Sequence, residues 1–334
     1  VPNLLNSINN QLNFNLSKLL IVIVINNETC PNKDVYEDNY KLHKYLEEVR
    51  FTFRVSVIDA YSDGLAIPRN IAGVGAARKI GTDLILPHLD DDSLIFHSDS
   101  DCVLDKNYFI EIINSWRSHK WAAAVVGFHH RKAETDLIEK AIRSYENMLI
   151  TTAEKLYSAG SIYCYPAMGS AMVFTHDTYA AVGGMSKKKA TEDFYFLQEI
   201  AKYKGVYWMK QHLVYPSARA EERVHIGTGF RMSNVLKGFN INSLEYSDQS
   251  FKILHDWLQL AQGSYGVDID KVLDESILIH PDLPGFMNSL NIHRVWVGLN
   301  RSVQDEKQFG PQFQRWFDGL KTIHLLRRFS TNYQ

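Results

Sequence analysis

Two pairs of acids stand where carboxylates could act on a substrate: Asp99-Ser100-Asp101 and Glu192-Asp193. The first pair directly follows a short apolar run from Leu94 to Ser98 that reads as a strand. In open α/β sheets, ligands bind outside the carboxyl ends of the strands. Two carboxylates one residue apart point the same way in an extended chain, so both can reach one hard divalent cation. Mg²⁺ or Mn²⁺ held there can bridge a diphosphate and neutralise the charge that builds as a phosphate–sugar bond breaks. Asp-x-Asp is also a common way to begin a solvated turn. Glu192 and Asp193 follow Thr191 at the start of a helical pattern, where an acid is an ordinary capping residue. The run Asp90-Asp91-Asp92 precedes the same strand and is expected on the opposite edge of the sheet, in a solvated loop.

The elements that must position these acids can be read from periodicity. Leu19 to Ile25 is a continuous β-branched run, expected to be a buried central strand. Tyr36 to Glu48 has helical spacing, and Phe51 to Ile58 alternates as a second strand ending at Asp59. Helical sequence follows from Val74 to Ile80, from Asn107 to His119, from Glu134 to Tyr157 and from Thr191 to Lys204. Ala122 to Phe128 and Met172 to Thr175 read as further strands. Strands alternating with helices predict a doubly wound α/β sheet. Beyond Gly229 the pattern is helical, with Trp257, Trp296 and Trp316 and little strand signal. The expected organisation is a lead-in (1–17), a catalytic domain (18–229) and a helical C-terminal extension (230–334).

Composition bounds the function. The 334 residues are 45% hydrophobic and 22% charged, as in a folded soluble domain. A formal net charge of −2 gives no reason to expect nucleic acid as the partner. Three cysteines without a Cys-x-x-Cys pair suit neither a disulfide framework nor a zinc site and fit a reducing compartment. The longest apolar run, Leu19 to Ile25, is far short of the ~20 residues that a membrane-spanning helix needs. These features suggest a cytoplasmic protein without a transmembrane segment, with peripheral membrane association left open.

The acids sit in a wider pattern. Gly75-Ala-Ala-Arg78-Lys-Ile-Gly81 is followed by Ser93-Leu-Ile-Phe-His-Ser-Asp99-Ser-Asp101, then Met168-Gly-Ser-Ala-Met-Val-Phe174, Val182-Gly-Gly-Met185 and Thr191-Glu192-Asp193. In order and spacing this resembles the inverting family 2 glycosyltransferases, over about two-thirds of the chain from Leu19 to Gly229. The resemblance implies a Rossmann-like GT-A fold, a doubly wound mixed sheet, and a metal-dependent hexosyltransferase of glycan, polysaccharide or glycolipid synthesis. Its donor would be a nucleotide-diphosphate sugar and its acceptor a carbohydrate or other hydroxyl. By the same resemblance Asp59 contacts the base or ribose, although Ala60 stands where a second acid is common, and Arg78 lies near the donor diphosphate. Asp101 would be the main ligand of Mn²⁺ or Mg²⁺, with Asp99 nearer the ribose, and His225 a third ligand. Gly169, Ser170 and Glu192 fall on the acceptor side. Asp193 would be the general base that takes the acceptor proton.

Other readings stay open. A retaining transferase is compatible with the same acids. A sugar nucleotidyltransferase would want a Gly-rich phosphate loop after the first strand, where this chain has Asn26-Asn-Glu-Thr-Cys30. A non-catalytic carbohydrate-binding or assembly protein could be built on a degenerate transferase fold. Arg223 and Arg231 flank His225 and could hold a diphosphate. Lys187-Lys188-Lys189 reads as a solvated loop, or as a lid over the donor. Gln312-Phe-Gln-Arg315-Trp316 spells a motif of processive polysaccharide synthases, but it lies far from Thr191 on an amphipathic helix. Packing of Trp316 in a helical core, with Arg315 outside, accounts for it.

Overall fold

The computed structural model describes residues 1–188, 190–222 and 227–330. They form two compact units, one of residues 1–142 and 167–239, the other of 143–166 and the chain from Asn240 onward. In the first unit, α1 (Pro2–Asn9) buries Leu5 and Ile8. After it come β1 (Leu20–Asn26), α2 (Lys33–Glu48), β2 (Arg54–Ala60) and α3 (Val74–Ile85). The β-branched β1 pairs with β2 in parallel, from Leu20 opposite Arg54 to Asn26 opposite Ala60. Helix α3 packs closely on β1 because Gly81 has no side chain: a Cβ there would stand 3.1 Å from Val24 Cγ2.

The chain continues through β3 (Leu94–His97), β4 (Val103–Leu104), α4 (Tyr108–His119), β5 (Ala123–Phe128), α5 (Asp136–Ser158), β6 (Met172–Thr175), α6 (His176–Ala181), α7 (Glu192–Tyr203), β7 (Tyr207–Tyr215) and α8 (Thr228–Leu236). Helix α5 belongs to the first unit up to Ile142 and to the second from Arg143.

The single doubly wound sheet expected for a GT-A-type fold is not what forms. Among the described residues there are two sheets, a two-stranded β1-β2 and a five-stranded β3-β6-β5-β7-β4. In the larger sheet β5 and β7 run parallel, while β3-β6, β6-β5 and β4-β7 are antiparallel. Alternation of strands and helices along a sequence constrains their order in the chain but not which strand edges meet. β1 is correspondingly not a fully buried central strand: Ile25 is buried and its neighbours are mostly half-buried. The fully buried strand is β5.

β7 is absent from the sequence-based expectation because exposed Lys210, Gln211 and His212 interrupt its apolar pattern. They mark a bulge: β5 pairs Val126 with Met209 and then Gly127 with His212. Gly127 makes the bulge possible, since a Cβ there would lie 2.4 Å from the carbonyl oxygen of Gln211.

The second unit is helical: α9 (Asp248–Gln262), α10 (Ile269–Ser276), α11 (Leu283–Ser289), α12 (Ile292–Arg301), α13 (Glu306–Trp316) and α14 (Gly319–Phe329). Its core centres on Trp257, Trp296, Phe309, Phe313 and Phe317, with the Trp296 and Phe309 rings 5.2 Å apart, edge to face. Among the described residues no helix is long and apolar enough to cross a membrane.

Gly127→Ala is expected to lower unfolding stability by about 1–3 kcal/mol, the usual cost of forcing atoms into a packed core, with no change of slope in a urea titration. Unchanged stability would show that the bulge does not depend on this glycine.

Candidate active site

Asp59 lies at the carboxyl end of β2, next to its last residue Ala60. Its Oδ1 accepts the backbone N–H groups of Tyr61 and Ser62, both at 3.0 Å. Burial pushes this carboxyl upward, but the Ser62 hydroxyl and those two N–H groups outweigh it and hold it below the ordinary value. Tyr61, itself buried, packs its ring 5.6 Å from that of Tyr36, and its hydroxyl is 3.1 Å from His43 Nδ1. Asn27, just after β1, donates to the Tyr61 carbonyl at 3.1 Å and accepts from Asn39 at 2.8 Å. A polar and aromatic wall thus surrounds Asp59. Asn27, Asn39, His43 and Tyr61 are not in the sequence-derived site. Two adjacent asparagines closing a β-branched run, Asn26 and Asn27, were the available signal.

The Asp-x-Asp segment is not extended. The Cys102 N–H donates to the Asp99 carbonyl at 3.1 Å, closing a β-turn over residues 99–102. The two carboxylates accordingly take different partners. Asp99 Oδ1 accepts from Arg78 Nη2 at 2.5 Å, and Asp101 Oδ2 is 3.4 Å from Arg219 Nη2. Arg131, just beyond β5, donates from Nη2 to the Asp101 carbonyl at 2.9 Å. Burial, then the charge of Asp99, raises the Asp101 carboxyl above its ordinary value, with Arg219 opposing. Neither Arg131 nor Arg219 was found from sequence, since neither falls within the motifs that single out the acids.

Arg78, on α3, links the two acid pairs. Its side chain is 9% exposed, with Nη2 on Asp99 and Nη1 on Glu192 Oε1, again at 2.5 Å. The guanidinium lies against Gly169, where a Cβ would be 2.5 Å from Nη1. Glu192 is buried at the first position of α7. Burial pushes its carboxyl up to about 7, Arg78 pulling it down and the charge of Asp193 adding to the rise. Asp193 is half-buried beside it and accepts the Phe194 N–H at 2.8 Å. Beneath the cluster, burial drives the His97 imidazole down to about 3, with the Arg78 charge adding to the shift, so it is neutral. His97 Nε2 is 3.0 Å from Thr82 Oγ1.

Other sequence-derived residues fall in different settings. Ser170 is buried. The Lys188 ammonium sits 3.2 Å over the Tyr195 ring, and Lys189 lies outside the described residues, as do Arg223 and His225. Among the described residues no group of three or more His, Cys, Asp or Glu side chains is gathered as a ready metal site.

No family model and no curated protein matches the chain. Solved structures similar to it include S. aureus TarS residues 1–349, alone, with UDP and with UDP-GlcNAc. The identities are 12%, 11% and 12%, over 95% of this chain and 86% of that one, with TM-scores of 0.44, 0.44 and 0.46. The family 2 GT-A identification drawn from the motifs is therefore withdrawn, having neither a matching family model nor the single doubly wound sheet it implied.

Glu192 supplies a pH test. Its carboxyl stands near 7 in the folded chain against an ordinary 4.5, so between those values the folded state holds more protons than the unfolded one. The stability that this protonation contributes is full below the ordinary value and is lost as pH rises through 7. The stability of wild type minus that of Glu192→Gln is expected to fall by about 1–3 kcal/mol across this window, then level off. Urea titrations at several pH values measure it, and a flat difference would refute the assignment.

Proposed function

We propose that this chain transfers a sugar from a nucleoside-diphosphate sugar to a hydroxyl acceptor. One observation carries the reading: Arg78 joins Asp99 of the 99–102 turn to Glu192 at the start of α7, which brings the two acid pairs to one place. Donor-side and base-side carboxylates are what a displacement at a phosphate-activated sugar requires. The nucleoside is assigned to the wall around Asp59. Oδ1 there is engaged by two backbone donors, and the carboxylate would accept from ribose hydroxyls. Arg131 and Arg219, at the ends of β5 and β7, supply positive charge beside Asp101 for the diphosphate.

Asp193 is the proposed catalytic base. The acceptor hydroxyl gives its proton to the Asp193 carboxylate while its oxygen forms a bond to the anomeric carbon. The bond from that carbon to the diphosphate oxygen breaks, and its electron pair leaves with the diphosphate, inverting the centre. Asp101 fits a divalent cation, because burial and the charge of Asp99 leave it short of positive charge even with Arg219 nearby, while Asp99 is already held by Arg78. A site of one or two carboxylates, completed by substrate phosphates and water, is how Mg²⁺ is commonly bound. When bound, the cation would neutralise charge on the departing diphosphate. Every other step belongs to the protein's own side chains.

Titration calorimetry with a panel of nucleoside diphosphates, with and without Mn²⁺, tests the donor half of the proposal. Metal-dependent binding of one of them to wild type, weakened at least tenfold in Asp101→Ala (about 1.4 kcal/mol), is the expected result. No binding to folded protein would favour a non-catalytic carbohydrate-binding or assembly role. For the base, Asp193→Asn is expected to lower kcat by roughly 10²–10⁴ while leaving nucleotide affinity within about threefold. Retained turnover would remove Asp193 from the mechanism.

A further inference from the structure

Helix α7 begins without the usual support. Its N-cap residue, Thr191, is held at φ 62°, in the left-handed region that a β-branched residue rarely occupies. Its side chain makes no capping bond and instead donates to the Ala190 carbonyl at 2.6 Å. An N-cap hydroxyl normally accepts an N–H of the first turn and thereby fixes where a helix starts. Here something else must fix it, and the next residue carries the strongest tether available, Glu192 Oε1 on Arg78 Nη1.

The surroundings are shaped for that tether. Gly75, three residues before Arg78 on α3, leaves no space for a side chain: a Cβ would stand 2.5 Å from the Lys188 carbonyl oxygen and 2.9 Å from Glu192 Cβ. Gly169 is equally excluded by the guanidinium. Both Nη atoms of Arg78 are engaged by carboxylates, and the side chain is 9% exposed. A planar fork can hold two carboxylates in fixed directions, whereas a lysine ammonium on a flexible stem cannot.

We propose that Arg78 is a positioning residue: acting through Glu192, it fixes the first turn of α7, and so the Asp193 carboxylate, relative to the acid turn at the end of β3. The effect on turnover rests on the function proposed above; the tether itself does not. The groups facing Glu192 are Arg78, Asp193 and Asp99, so removing Arg78 leaves three acids close together with their shared cation gone.

The test compares Arg78→Met, Glu192→Ala and Glu192→Gln with wild type in two measurements. Hydrogen exchange reads the tether. The amides of Tyr195 and Phe196 are expected to exchange at least ~10-fold faster in Arg78→Met and Glu192→Ala, with those of β5 unchanged. Glu192→Gln keeps an oxygen that accepts from Nη1 and is expected to restore slow exchange. Steady-state kinetics read the consequence: kcat falls on the order of 100-fold in the first two variants, donor KM stays within about threefold, and Glu192→Gln recovers most of kcat. Unchanged exchange at α7 in either folded variant would overturn the tether, and Glu192→Ala decides the matter should Arg78→Met not fold. A raised donor KM with kcat retained would also overturn the proposal, by making Arg78 a donor ligand. A wild type without transfer activity would remove the proposed function and leave the exchange result to decide the tether.

Discussion

Burying a guanidinium is expensive, and the first unit is arranged around making that cost recoverable. Moving a charged side chain out of water costs several kcal/mol even after the protein relaxes, and an ion pair offsets this only with good geometry and satisfied hydrogen bonds. Arg78 meets the condition at both terminal nitrogens, although its Nε has no partner. That demand explains features that otherwise look unrelated. Gly75 and Gly169 are required because any side chain there would displace a partner or the guanidinium itself. Glu192 is buried at a helix start because its partner is buried, and His97 below the cluster is kept neutral, so it adds no second positive charge to the same space.

Sheet order delivers the remaining charges. β3 and β4 lie at opposite edges of the five-stranded sheet, yet residues 98–102 alone connect them. Four strand spacings amount to ~19 Å, and a link of this length that contains a β-turn reaches at most about 18 Å. The sheet must therefore curl until its edges approach, which lays Asp99 and Asp101 across its end. Arg131 leaves β5 and Arg219 leaves β7 at the same end, and these parallel neighbours bring both to Asp101. The bulge at Gly127 is part of the same construction, because bulges increase local twist and bend the strand that carries them.

Much of this was legible in the sequence, and what was not has identifiable causes. Met172 to Thr175 was bounded correctly as a strand, and α7 to within a residue at each end, because their apolar patterns carry a clear period. β7 was not found, since its polar bulge residues break the alternation on which strand recognition depends. The division into two sheets was not legible either, because β3 has only four residues and its antiparallel pairing with β6 joins segments nearly eighty positions apart. Arg78, Asp99 and Glu192 were each singled out, but their union spans up to 114 positions of sequence and had no local signature. The same holds for the wall around Asp59, where Asn27, Asn39, His43 and Tyr61 are unremarkable until β1 and β2 pair.

Short motifs acquire meaning from the partners that the fold gives them, and the two units show this from opposite sides. Gln312-Phe-Gln-Arg315-Trp316 matches a synthase motif letter for letter, yet on α13 its most connected residue lies between the motif positions. Gln314, buried, accepts the Ile162 N–H at 2.9 Å and donates to the Gly160 carbonyl at 2.9 Å, tying the turn after α5 to the helical core. Trp316 packs against Phe313, and Arg315 is exposed. Spelling here follows from an amphipathic helix and nothing more. Asp99-Ser100-Asp101 is a far commoner string, and in an extended strand end it would be two parallel carboxylates. Folded into a turn, it sends one acid to Arg78 and the other toward Arg219, so each carboxylate belongs to a different charge network. The chemical interest of the site lies in that separation: one network joins the turn to buried Arg78 and Glu192, while the other sets Asp101 beside Arg219.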